Sequence, residues 1–252
     1  MIASPFDSFV SSLKPVRLYS ASKGGRASSW LLWGDGVKFL PDASMNGRRK
    51  IKARGKIGWV DEAALGGESL LEFYFIDVGQ GDGVLIKTPD FRHILIDGGF
   101  PRAKQPTGKS AADFVDWKFV KDYGLDTVAL DALIASHNDQ DHYGGLADLL
   151  DLTQADDLNA EHVTVEAAYH AGLSWWRTAS DSRTLGSFRK VDGLNHLVDL
   201  LGDRTSAQAA LAPGALPRLQ GAWGDFIQKL LDARTQAGTP TPLERLSHTT
   251  GY

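Results

Sequence analysis

The sequence predicts an α/β protein: a small module of short strands, followed by a larger domain in which strands and helices alternate about one sheet. Three features predict it. Residues 16–65 are short runs broken by glycines; from Leu70 the runs become almost wholly apolar; and after Ser110 stretches with helical spacing separate them.

Residues 1–15 read as an N-terminal extension with neither a basic leader nor a long apolar core. The runs "VRLYS", "SSWLLWG", "VKFLP", "RKIKARG" and "IGWVDEAAL" are each short enough for the strands of a small barrel over residues 16–66. "GGES", at 66–69, is a linker. "LLEFYFIDVG" predicts a buried strand, and "DGVLIKTPDFRHILIDGG" predicts two more around a "TPDF" turn. Phe114, Trp117, Val120 and Lys121 share one helical face in residues 110–124, which stop at a glycine. "LDALIAS" reads as a buried strand, "GGLADLLDL" as a helix and "HVTVEAAYHAG" as a further strand. Residues 185–236 read as a helical insertion that includes "VDGLNHLVDLLG" and "LQGAWGDFIQKLLDAR", and the end of the chain as a loop.

At 42% hydrophobic and 23% charged residues, the composition is that of an ordinary globular protein. There is no cysteine, which excludes disulfides, thiolate metal sites and a cysteine nucleophile. No apolar run approaches the ~18 residues that span a bilayer. The expectation is a cytoplasmic protein without membrane contact. Net charge is −4, yet residues 1–70 carry eleven Lys/Arg against six Asp/Glu. The excess centres on Arg48, Arg49, Lys50, Lys52 and Arg54, which would form a nucleic-acid-binding patch or, more simply, a solvated hairpin protecting a sheet edge.

The chemistry concentrates in "SHNDQDHYGG", where His137, Asp139, Asp141 and His142 follow a buried strand and precede two glycines. Residues 137 and 139 point the same way on extended chain, and Asp141 and His142 stand where a helix begins. Two imidazoles and two carboxylates suit Zn²⁺ or Mn²⁺, with Mg²⁺ as a further option. The competing explanation is a polar loop whose Asn and Asp cap a helix. It leaves two aspartates that repel each other at close range unless a dication separates them.

The cluster resembles the H-x-[HD]-x-D-H signature of metallo-β-lactamase-fold hydrolases. With Asp in the second slot and a following GG, it is similar to the ComEC-like (DNA-internalisation) branch. "FIDVGQGDGVLIKTP" and "ILIDGG" resemble that branch's opening blocks and lie in the expected order. The resemblance implies an αββα sandwich and two divalent metals. His137 and Asp139 would face the first metal and Asp141 and His142 the second, the latter pair acting as catalytic residues. Asp97 would steady a ligand from behind. Asp77 and Asp82 match the "DVGQGD" turn, either beside the metals or merely bonding within the turn. "IKARGKIGWVDEAAL" resembles the end of a bacterial SH3-like (SH3b) domain.

The later "TGD" and "HHGS" motifs of that pattern do not occur; His170 and His248 are possible substitutes, and His162 and His196 read as structural or surface residues. Residues 70–252 therefore read as the first half of the sandwich, a fragment, split subunit or proteolytic product whose remainder comes from a second polypeptide or a downstream segment. The expected function is a dinuclear metal-dependent nuclease or other phosphodiesterase. The alternative is a catalytically incomplete binding or regulatory protein that uses the SH3-like module.

Overall fold

The computed structural model describes residues 2–41, 44–154, 156–180 and 182–247. The small module comprises β1 (Ser8–Phe9), β2 (Val16–Tyr19), β3 (Ala27–Leu31), β4 (Gly36–Phe39), β5 (Arg48–Ala53) and β6 (Lys56–Asp61). They form one antiparallel sheet in the order β1-β4-β5-β6-β2-β3. Alternation turns Val16 and Leu18, Ile51 and Ala53 inward, onto a core with Val10, Leu31, Val37 and Val60. Arg54 and Gly55, at φ 50° and 70°, make the two-residue turn between β5 and β6.

Two expectations change here. The N-terminal extension does not stand apart from the module, because Ser8–Phe9 pairs with β4 and Val10 is fully buried. Nor is β5 an edge: it lies between β4 and β6, so its basic side chains do not guard a free strand. Arg48 instead bonds Asp61 at 3.0 Å and stacks 3.4 Å over Tyr19. Arg49 lies over Phe39 and 3.8 Å from Glu62, and Arg54 is 3.6 Å from Asp35.

The main sheet begins with β7 (Glu72–Phe75), β8 (Val84–Lys87) and β9 (His93–Ile96), an antiparallel meander. α1 (Ala111–Trp117) follows, starting where Ser110 N donates to Asp113 Oδ2 at 2.8 Å. A π-helical turn, Lys118–Tyr123, extends it to Gly124 at φ 73°. "LDALIAS" is split at Asp131 into the end of β10 (Thr127–Leu130) and β11 (Ala132–Ala135). The Asp131 carboxylate accepts from His93 N at 2.9 Å, and its amide donates to His93 O. After α2 (Gln140–Leu149), "HVTVEAAYH" likewise gives two strands, β12 (His162–Val165) and β13 (Ala168–His170). β10 and β12 pair separately from the main sheet.

The region read as a helical insertion is mixed. β14 (Trp176–Arg177) and β15 (Arg183–Thr184) precede a hairpin of β16 (Phe188–Val191) and β17 (Leu194–Leu197), where a helix was expected. Asp192 and Gly193, at φ 50° and 82°, form its turn; an Asp-Gly pair is a strong hairpin signal and outweighs the helical spacing around it. α3 (Arg204–Leu211) follows, capped by Asp203, whose Oδ1 accepts from Ser206 N at 2.8 Å. Then come β18 (Arg218–Leu219) and α4 (Gly221–Asp232), whose Trp223, Phe226, Ile227, Leu230 and Leu231 face the core at helical spacing. The expected terminal loop contains β19 (Leu243–Arg245), parallel to β13.

The main sheet runs β19-β13-β11-β9-β8-β7. One face, with Leu85, Leu95, Leu133 and Ala168, is buried with α1, α2 and α4. Register places Phe73, Ile86 and Ile94 together on the other face, and beside them Phe75, Val84, Ile96 and Ile134. "LLEFYFIDVG" is thus an edge strand with one open face: Phe73 is 53% exposed and Phe75 81%.

His93 and His170 are buried on the covered side. Burial, then the charges of Lys87 and Lys118, pulls His93 down to about 3; burial, then Arg245, pulls His170 down to about 4. Above the ordinary value of 6.5 both are neutral, folded or unfolded. Below it the unfolded chain takes up protons that the folded chain refuses, so stability falls with pH down to those lowered values. Each ring should remove about 2 kcal/mol between about pH 7 and about pH 5. Urea titrations across that range should show the loss, and His93→Gln should flatten it.

Candidate metal centre

Helix α2 carries half of the predicted cluster, and glycines let it dock. A Cβ on Gly145 would lie 2.1 Å from Gly98 O, one on Gly98 2.7 Å from Leu146 N, and one on Gly144 2.3 Å from Pro101 N. Such distances admit only hydrogen at those positions. Gly144 and Gly145 lie within the helix and serve close approach of backbone to backbone. The contact is sealed by Gly98 N donating to His142 O at 2.7 Å and Gly145 N to Gly99 O at 3.1 Å. The "DVGQGD" loop joins from a third side. Gly99 N donates to Asp82 O at 2.9 Å, and Gly81 presses on the backbone of Asp141.

This packing gathers Asp82, Asp97 and His142, which each offer a ligand atom within 4.8 Å of the others. Asp97 is buried and left-handed, at φ 56°. Its Oδ1 accepts from Ser136 N at 2.8 Å, and its Oδ2 accepts from Ser136 Oγ and from His142 Nδ1, the latter at 2.9 Å. A carboxylate only accepts, so Nδ1 carries the proton, and in the neutral ring Nε2 keeps its lone pair for a metal. Burial alone would lower the His142 pKa, but the Asp97 hydrogen bond, Asp97 charge, Asp141 and Asp82 outweigh it, and the net effect is upward. In chemical terms, the surrounding carboxylates favour a cation at this point.

Of the four cluster residues only His142 belongs to that group; the other three lie on the segment beside it. His137 Nδ1 is 3.2 Å from Asp139 Oδ2, and the His137 and His142 rings are 5.5 Å apart. Asp139 is the N-cap residue of α2, yet its side chain makes no capping bond, which weakens the capping explanation for "NDQD". Asp141 Oδ2 accepts from Gln80 Nε2 at 3.0 Å, a bond that, ahead of the charges of His142 and His137, holds its carboxyl below the usual range.

Asp77 accepts from Gly79 N at 3.2 Å, a bond within its own turn. Its neighbour Asp82 is the residue that reaches the cluster. His170 does not join the group: Nδ1 accepts from Gly172 N at 2.9 Å, and Nε2 is buried without a partner. His248 lies outside the described residues. Gln80 and Ser136 were not singled out in the sequence as partners of Asp141 and Asp97; only their neighbours' motifs pointed to this region.

The family model of the metallo-beta-lactamase superfamily matches residues 76–217, which span the loop, the turn and the cluster. The chain belongs to the metallo-beta-lactamase superfamily. Members of this superfamily are generally metal-dependent hydrolases that bind divalent ions, and the Asp82, Asp97 and His142 group gives the chain a candidate site for one. Neither the curated proteins nor the solved structures give a match to the chain.

The docking argument has a direct test. Gly145→Ala should destabilise the fold by about 2–3 kcal/mol, as overpacking does, and lower metal uptake. Gly224→Ala in α4 meets nothing closer than 3.4 Å and should be neutral or stabilising by up to ~1 kcal/mol. Thermal melts and metal titration of the two variants would separate them.

Proposed function

We propose that this protein is a dinuclear metal-dependent phosphodiesterase that cleaves nucleic acid. The observation that carries the reading is the convergence of Asp82, Asp97 and His142 beside His137, Asp139 and Asp141. The donor set is oxygen-rich with imidazole, which fits Zn²⁺ or Mn²⁺ and admits Mg²⁺. His137 and Asp139 would hold one ion, and Asp141 and His142 the other. Divalent ions bound there would polarise a phosphoryl oxygen and lower the pKa of water. The chain's own groups do the positioning: Asp97 fixes the His142 tautomer, and Gln80 fixes the Asp141 carboxylate.

The preference for phosphodiesters over the superfamily's other possible substrates rests on the ComEC-like order of "DVGQGD", "DGG" and "HNDQDHYGG", and on cations beside the cluster. Lys104 bonds Gln140 at the start of α2. Because Arg48, Arg49 and Arg54 already face acids of the small module, its basic hairpin is the secondary contact for a long polymer, with Lys50 and Lys52 alongside. The SH3-like reading of that module belongs to the same proposal.

The cluster also lacks a recognisable bridging aspartate, and the Phe73–Phe75 face of the sheet is open. We infer that a second polypeptide, or a segment downstream of this sequence, layers onto this face and brings the remaining ligands. The open area is the kind of apolar patch that marks an interface.

Hydrolysis of bis(p-nitrophenyl) phosphate and of labelled single-stranded DNA and RNA tests the reading. His142→Ala should abolish turnover with Mn²⁺ or Zn²⁺ present. Asp97→Asn should lower metal affinity or activity by about 10–100-fold, as loss of a ligand's supporting bond does. Full activity in both variants would overturn the proposal. Native mass spectrometry tests the partner: a bound second chain that adds metal occupancy is expected. A monomer with two ions fully bound would remove the need for one.

A further inference from the structure

Next to the metal cluster lies a cavity of about 370 Å³, within the ~300–1,000 Å³ typical of small-molecule sites. Asn138, Gln140 and Tyr143 line it from the cluster segment and α2, and Trp175, Arg183 and Gln220 from the strands and loops before α4. Asn138 is 2% exposed, and neither its amide oxygen nor its amide nitrogen has a partner. Trp175 Nε1 and Gln220 Oε1 are also buried without partners. Buried polar groups are normally paired, and three residues of this lining carry unpaired ones. Together they offer donors and acceptors, so a ligand that pairs with them has both as well.

The walls narrow the chemistry. Tyr143 and Trp175 are aromatic, and the Arg183 guanidinium lies 3.6 Å over the Trp175 ring. Lys104 adds a second cation, and among the described residues no carboxylate lines the cavity. Sugar hydroxyls are commonly gripped by carboxylates, and the described lining offers none. A flat heterocycle with mixed edge groups, attached to an anion, meets every requirement. Amide side chains read base edges, and aromatic rings and guanidinium planes stack on base faces.

We infer that this cavity is a nucleobase subsite, holding the base of the nucleotide whose phosphate lies at the metal residues. The inference rests on the phosphodiesterase reading for the phosphate, but on the cavity alone for the base. Asn138 stands between His137 and Asp139, so a single backbone segment sets the distance from base to phosphate.

The test measures binding by tryptophan fluorescence and calorimetry with Mn²⁺ in excess. AMP, GMP, CMP and UMP are compared with ribose 5-phosphate, N-acetylglucosamine 6-phosphate and adenosine. At least one nucleotide should bind about 10-fold or more tighter than ribose 5-phosphate, as stacking and edge contacts provide. Asn138→Ala and Gln220→Ala should each bring that ratio to within about 2-fold, with circular dichroism confirming the fold. A ratio near one in the unaltered protein, or one that survives both substitutions, overturns the inference. So does tightest binding by the acetamido sugar phosphate. Adenosine carries no phosphate, so its binding reports on the cavity even if bis(p-nitrophenyl) phosphate is not hydrolysed. Conversely, hydrolysis of that base-free ester without nucleoside binding leaves the phosphodiesterase reading standing and removes the subsite. A 5′-phosphorylated tetranucleotide that binds tighter than the mononucleotide assigns the base to a polymer; equal binding assigns it to a free nucleotide, and either supports the subsite.

Discussion

The centre depends on one contact: the backbone of α2 lying directly on the Gly98–Gly99 turn. No side chain intervenes, so Asp97 at the turn and His142 in the first helical turn come within hydrogen-bonding distance. The same contact aligns amides with carbonyls across the gap, which makes the approach favourable as well as sterically permitted. With the "DVGQGD" loop held by Gly99, three segments far apart in sequence meet at one point. Rigid support of this kind is what a metal site needs from its scaffold.

Much of this was legible in the sequence because it was local. His137, Asp139, Asp141 and His142 sit within one short stretch, and the strand and helix that flank them follow from periodicity. Asp97 was legible from its glycine turn. Between Asp77 and Asp82 the sequence offered no choice, since both belong to one turn; only the fold shows which carboxylate bonds its own loop and which leaves it. Gln80 and Ser136 were invisible for the same reason, because their partners are distant in the chain.

The misreadings of the fold are equally physical. β16 and β17 carry Val191, Leu194 and Leu197 at helical spacing, but almost every residue there is exposed, so no core selects a helix, and the Asp-Gly turn decides. Asp131 breaks an apolar run because its carboxylate and amide both bond to His93, which passes the chain from one pair of strands to another. The apolar run at β7 promised burial on both faces; hydrophobicity alone does not say which layer provides it.

The β16–β17 hairpin has a practical consequence. Its base is closed by Val198 N donating to Ser187 O and Ser187 N to the Asp199 carboxylate. The two chain ends therefore stay together whatever the ribbon between them does. A Cβ added to Gly193 at the tip would meet no atom of the described residues within 4 Å. Loop length changes closure entropy only slowly, so the ribbon can be shortened, or a fluorophore or affinity tag grafted at its tip, while the sheet and its cluster keep their geometry. That makes it a natural handle for watching the protein at work.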